Sequence, residues 1–282
     1  MSSSTVRTYR TSDGFRLHFR HWPAAGEVRG VVVALHGIQS HSGWYEYSSQ
    51  RLAKAGFDVY FADRRGAGLN GFRRGHADHG ERLLQDVRQL VRLARREHPG
   101  VPLSLLGLSW GGKIAAALAC TSPDCMDRLV LLYPGLAPQI RPTRWQLLQL
   151  KFARHHDIRH HPVTVPLEDP RLITADAERH EFINNDPLVS RYVTSGFLNS
   201  GRDLDRIVDR HADRIHHPTL LVLAGEDRII DNSKTKLLVD SFSTREVTTV
   251  CYPGAQHTLE FESVRDQFVG DLVGWLRQDA CS

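Results

Sequence analysis

One stretch constrains this chain more than any other. Across residues 103–119 a short apolar run ends in a tight turn, and an Ala-rich amphipathic helix begins. The turn carries Gly107-x-Ser109-x-Gly111, the strand–turn–helix arrangement called a nucleophile elbow. Such a turn leaves no room for a Cβ two residues before or two after the serine, and glycine has none. The serine is lifted clear of the backbone at the N-terminus of the helix. Free N–H groups and partial positive charge there suit an incipient oxyanion. A bare motif of this kind is common, because turns collect glycine and serine. The flanking strand and helix give it weight here, as does Gly112, which allows close helix–sheet packing.

The 282 residues suffice for one large α/β domain with an inserted cap. A hydrophobic share of 41% supports a sizeable core and excludes disorder. No apolar run approaches the ~20 residues that span a bilayer, so no membrane span is expected. The first residues lack an apolar core, and no secretion signal is expected. Net charge is +4, and only five of the 36 basic residues are lysine. The arginines are scattered without a basic face, which argues against a nucleic-acid partner. Cys120, Cys125, Cys251 and Cys281 show no metal-ligand spacing. Reduced thiols in a reducing compartment, hence a cytoplasmic location, are the expectation.

Along the chain, 6–11 and 15–21 flank Ser12-Asp13-Gly14 as a β-hairpin. Residues 30–35 are a strand buried on both faces, followed by a helix over 44–55 and a strand over 57–62. A glycine- and arginine-rich loop covers 63–79, and helical periodicity covers 81–97. After the elbow, 128–133 reads as another buried strand. From 135 to 216 strand-like runs are scarce and His, Arg and Asp are frequent. Alternation resumes with strands over 219–224 and 246–251 and helices over 233–242 and 259–277. The pattern predicts one mostly parallel sheet flanked by helices, with core segments 1–134 and 217–282 and a mainly helical cap over 135–216.

A serine hydroxyl needs a base, and the base needs a carboxylate to hold its tautomer. In this architecture the order is Ser, then Asp or Glu, then His. Asp227 follows the strand over 219–224, and His257 follows the strand over 246–251. Strand ends in an open parallel sheet share one edge, so Ser109, Asp227 and His257 can converge. Asp231 and Glu226 are the rival acids. Two N–H donors are also required, one from Trp110 and one from the loop after Leu35. Ile38 is the favoured second donor, with Gly37 and Gln39 as alternatives.

With these residues in place, the sequence resembles the serine α/β-hydrolase superfamily. More narrowly it resembles the monoacylglycerol lipase/lysophospholipase branch, which also holds enzymes classed as serine aminopeptidases. The matching stretches are His36–Gly43, the Asp63…Gly66…Gly68 loop, Arg74-Gly75-His76, Gly107–Gly112, Asp227–Asn232 and Gly254–His257. The resemblance implies the α/β-hydrolase fold, the triad Ser109, Asp227 and His257, oxyanion donors at Ile38 and Trp110, and a cap over the site. It departs from the family pattern at Gly66-Ala67-Gly68, where Gly-His-Gly is usual. It departs again at Trp110, where a smaller side chain is common and a narrower acyl pocket follows.

The expected activity is hydrolysis of a small-molecule acyl ester through an acyl-serine, with no cofactor and no metal. Thioester, amide or acyl-transfer chemistry would use the same triad, and a non-catalytic ligand-binding homologue is the remaining alternative. His36, Gln39, Trp145, Phe182 and Phe197 are candidate substrate contacts. Trp145, Leu147, Leu148, Leu150 and Phe152 would give a cap helix an apolar side. Phe182, Tyr192, Phe197 and Leu198 would line a pocket, and packing within the cap accounts for them equally well. The histidines of 155–161 form a loop segment for which a solvated role is favoured over a metal site. Asn184–Pro187 reads as a turn or a helix start.

Overall fold

The computed structural model describes residues 4–140, 143–165, 167 and 169–278; Cys281 lies outside them. The chain enters through an antiparallel hairpin, β1 (Thr5–Arg10) and β2 (Arg16–Trp22). Strand and helix then alternate: β3 (Gly30–Leu35), α1 (Glu46–Lys54), β4 (Phe57–Ala62), α2 (Gly80–Glu97), β5 (Leu103–Leu108), α3 (Trp110–Thr121) and β6 (Arg128–Leu132). An insertion follows, holding α4 (Arg144–His155), β7 (Pro162–Thr164), α5 (Ala177–Asn185), β8 (Tyr192–Thr194) and α6 (Ser195–His211). Alternation resumes with β9 (Thr219–Ala224), α7 (Asn232–Val239), β10 (Val247–Tyr252) and α8 (Arg265–Leu276).

Eight strands form one sheet in the order β1-β2-β4-β3-β5-β6-β9-β10. From β4 to β10 every pairing is parallel, and β2 runs antiparallel to β4. Strands β3, β4, β5, β6 and β9 are buried along their whole length. Their sequences read as continuous apolar runs because helices cover both faces. Val31, Val33, Leu103 and Leu105 pack with Leu83, Leu90 and Ile114 on one face. Val32, Ala34, Leu106 and Leu108 pack with Leu52, Phe268 and Leu272 on the other. Burying one such side chain contributes about 1.5–3 kcal/mol. This layered core is what fixes the strand ends.

Register brings those ends level. Leu35 pairs with Gly107, Leu108 with Leu132, Leu132 with Val222, and Ala224 with Tyr252. The loops after β3, β5, β6, β9 and β10 therefore leave the sheet along one rim.

Three local expectations are corrected. The helix expected over 259–277 breaks into a 3-10 turn at Leu259–Phe261 and α8. Glu262 is extended between them, and its carboxylate accepts from Thr174 Oγ1 at 2.7 Å and the Ala175 amide at 2.9 Å. That tie to the insertion outweighs helix continuation. Of the two readings for Asn184–Pro187 the helix start is corrected: the stretch ends α5 and leads into a turn at Pro187. Asp186 precedes a proline and is extended, as steric clash with the proline ring demands. On α4 only Leu150 and Ala153 are buried, whereas Trp145, Leu148 and Phe152 are exposed.

Candidate active site

Ser109 stands between β5 and α3 with φ +49° and ψ −122°, a strained conformation for a non-glycine residue. The strain is held by contact. A Cβ on Gly107 would lie 2.7 Å from the Gly111 carbonyl oxygen, and one on Gly111 would lie 2.3 Å from that of Leu35. The Ser109 carbonyl accepts from the Gly112 and Gly135 amides at 2.8 and 2.7 Å. The elbow is thus clamped between α3 and the turn after β6.

Three side chains from separate loops meet there. The Ser109 hydroxyl lies 2.8 Å from His257 Nε2, and His257 Nδ1 lies 2.7 Å from Asp227 Oδ2. An ionised carboxylate only accepts, so Nδ1 carries the proton and Nε2 accepts from the hydroxyl. Asp227 Oδ1 accepts from the amides of Ile229 and Ile230 at 2.8 and 2.9 Å. The Asp227 side chain is fully shielded from solvent. The Tyr133 ring meets the imidazole edge-on at 5.0 Å. The rival acids are elsewhere: Asp231 caps α7 and pairs with Lys234, and Glu226 is exposed.

The loop after β3 lies against the serine. A Cβ on Gly37 would be 3.2 Å from Ser109 Cβ and 3.4 Å from its Oγ. Trp110 opens α3, where first-turn amides have no intrahelical acceptor. Among the described residues the Ile38 amide donates to no other residue.

The candidate substrate contacts divide. Phe197 is buried and stacks on Trp110 with centroids 4.4 Å apart. His36 is corrected: Nδ1 bonds the Gly37 carbonyl at 2.8 Å and Nε2 accepts from the Arg64 amide at 2.9 Å. Both ring nitrogens are committed to backbone, so His36 offers none to a ligand. Gln39 is buried and its carbonyl accepts from the Ser190 amide, which ties the loop to the insertion. Trp145 is 67% exposed on α4. Phe182 packs against Trp44 and Phe261, and Tyr192 is exposed. The histidines of 155–161 separate: His155 and His156 end α4, and His160 stacks on His76 at 4.2 Å. Among the described residues no three metal-ligating side chains gather. No described helix is long and apolar enough to cross a membrane.

Two residues at this site escaped the sequence reading. Tyr133 continues the β6 run and looked like one more buried strand residue. Arg64 sits in an arginine-rich loop, and its place directly after Asp63 at a strand end is a usable signal. Its guanidinium lies over both Trp110 and Phe197.

Sheet order, the antiparallel β2 and the sharp turn after β5 define an α/β-hydrolase fold. The profile described as serine aminopeptidase, S33, matches residues 26–264, and the chain belongs to that hydrolase family. A monoacylglycerol lipase of Mycolicibacterium smegmatis is 28% identical over 284 residues, covering 98% of each chain. The crystal structure of Paleococcus ferrophilus monoacylglycerol lipase superposes with a TM-score of 0.83 at 25% identity, over 93% of this chain and 98% of that one. A soluble variant of the Saccharomyces cerevisiae monoglyceride lipase, in complex with a substrate analog, gives 0.87 at 20% identity, over 100% and 98%. The resemblance drawn from the six motif stretches is thereby borne out.

Proposed function

We propose that this chain hydrolyses carboxylic esters through an acyl-serine intermediate, with Ser109 as nucleophile, His257 as base and Asp227 as its orienting carboxylate. The observation that carries this reading is the unbroken hydrogen-bond path from the Ser109 hydroxyl through His257 to the buried Asp227. His257 Nε2 takes the hydroxyl proton as Oγ bonds to the ester carbonyl carbon. The oxyanion forms against the Ile38 and Trp110 amides. His257 then gives its proton to the leaving alcohol as the C–O bond breaks. A water molecule loses a proton to His257, attacks the acyl carbon and releases the acid, and Ser109 regains its proton.

The substrate class is a small acyl ester of the monoacylglycerol kind, supported by the names of the relatives above. Residues 1–134 and 217–282 act as the core and 135–216 as a cap over the site. Phe197 of α6, stacked on Trp110, places an aromatic wall of that cap beside the elbow. Free thiols at Cys120, Cys125 and Cys251 support a reducing, cytoplasmic setting.

Ser109→Ala tests the reading. Hydrolysis of p-nitrophenyl esters is expected to fall by about 10⁵-fold or more with the fold intact. A fluorophosphonate probe should label the wild type and not the variant. Near-wild-type turnover in Ser109→Ala overturns the proposal. A matched ester, thioester and anilide, compared by kcat/KM, fix the leaving group, and the ester is expected to lead.

A further inference from the structure

The residue after Asp63 is buried and charged, and among the described residues no carboxylate pairs with it. Arg64 is only 9% exposed. Its guanidinium carbon lies 5.0 Å from the Trp110 ring centroid and 4.8 Å from that of Phe197. Nη2 donates to the Ile38 carbonyl at 2.9 Å and makes a longer contact of 3.4 Å with the Gly37 carbonyl. Nε is buried with no acceptor. Asp63, the adjacent carboxylate, is held elsewhere: its oxygens accept from the Ser42 and Leu69 amides at 2.7 and 2.8 Å. Burial without a bonded counter-charge lowers the guanidinium pKa to about 9. Two aromatic faces compensate part of that cost. For packing alone an apolar side chain would serve better, because an uncompensated buried charge is costly.

Peptide geometry shows what the charge can do. The Gly37–Ile38 peptide is planar, so the Gly37 carbonyl and the Ile38 N–H point in opposite directions. Whatever holds the carbonyl aims the N–H. Two donors hold it, His36 Nδ1 at 2.8 Å and Arg64 Nη2 at 3.4 Å. The His36 ring is held in turn by the Arg64 amide on Nε2. The next carbonyl, that of Ile38, is also held by Arg64. Arg64 thus braces both peptides that flank the Ile38 α-carbon and, through its own backbone, the imidazole that completes the brace. Donors on the Gly37 carbonyl also polarise the peptide and strengthen its N–H as a donor.

We propose that Arg64 is a positioning residue for the oxyanion site: its guanidinium holds the Gly37 and Ile38 carbonyls so that the Ile38 N–H faces the acyl oxygen on Ser109, and its charge favours the anion formed there. This rests on the reading of Ser109 as nucleophile and Ile38 as donor. The oxyanion exists only near the transition state, so the effect belongs to kcat and leaves substrate binding nearly untouched.

The test compares Arg64→Met and Arg64→Lys with the wild type on p-nitrophenyl acetate. Methionine keeps an apolar stem between the two rings and removes donors and charge. Its kcat is expected to fall about 10–100-fold, less than the loss of a whole oxyanion donor. KM should stay within about threefold. Thermal stability should be unchanged or raised, because a buried unpaired charge has gone. Lysine keeps the charge and one donor to the Ile38 carbonyl, and should recover kcat to within about tenfold of wild type. Wild-type kcat in Arg64→Met overturns the proposal. So does a kcat loss that tracks a fall in melting temperature, or equal kcat in the Met and Lys variants. A wild type that neither hydrolyses esters nor labels with a fluorophosphonate sinks the ester-hydrolase reading, and this proposal with it. A labelled, active wild type indifferent to residue 64 sinks this proposal alone.

Discussion

The rim of the sheet and the insertion hold their polar side chains in opposite ways. On the rim, polar groups end on backbone. Asp227 receives two amides besides His257, Asp63 receives two, and His36 bonds one carbonyl and one amide. In the insertion, charges meet one another near solvent, as in Arg154–Asp203–Arg206, Arg159–Asp157 and Arg171–Asp169. Exposed pairs of that kind contribute about 0–1 kcal/mol each and leave their side chains free to move. Backbone amides in loops that leave a buried sheet have less of that freedom. The proposed triad, whose chemistry tolerates little displacement, stands on the first kind of support, and the proposed cap on the second.

The sharpest break in that contrast comes from Asp227→Asn. Asparagine keeps Oδ1 on the Ile229 and Ile230 amides but presents an NH2 to His257 Nδ1, which forces the wrong tautomer. Ester turnover is expected to fall about 10⁴-fold with the thermal midpoint nearly unchanged. A loss below about tenfold would show that the rim's anchoring is not what activates the serine.

Asp186 gives a middle-sized effect, because it ties the insertion to the segment after β3 through buried side-chain hydrogen bonds. Its Oδ2 accepts from His41 Nε2 at 2.9 Å and Trp44 Nε1 at 2.6 Å. Burial pushes this carboxyl up, but the His41 and Trp44 hydrogen bonds outweigh burial and hold it at about 2, below its ordinary 3.8. A lowered folded-state pKa means the contribution is present above pH 3.8 and is lost as pH falls through 2. Asp186→Ala should loosen the insertion by about 1–3 kcal/mol, read as faster amide exchange in α5 with β5 unaffected. Acid titration of Trp44 fluorescence, read against Trp44→Phe, should show a step near the low end of that range that Asp186→Ala lacks. Equal loosening of α5 and β5 would mean the two regions open as one.

The smallest effect is expected on α4. Leu148 is 56% exposed, so Leu148→Ser should shift unfolding free energy by no more than about 0.5 kcal/mol in urea. A larger loss would mean that the outer face of the insertion packs as firmly as the core.

Much of the rim was legible because its determinants are local. Val31–Ala34 and Leu103–Leu106 need only an apolar run to announce a buried strand. The glycines at 107 and 111 need only the tightness of one turn. That Ser109, Asp227 and His257 can converge follows from strand ends sharing an edge. What stayed hidden depends on residues distant in sequence. The break at Glu262 comes from Thr174 and Ala175, residues of the insertion. His36 looked available until Gly37 and Arg64 took both its nitrogens. Arg64 itself gains meaning only when Trp110 and Phe197, from two other elements, close over it.

The footing of α6 has one further consequence. Phe197 stacks on Trp110, and Asp205 pairs with the buried Lys113, so α6 rests on the same helix whose first turn presents the serine. On the reading proposed above, a shift of α6 would move Ser109 with it. The outer face of α4, by contrast, meets solvent through Trp145, Leu148 and Phe152. Substitutions on α6 would carry a cost in alignment that changes on that outer face escape.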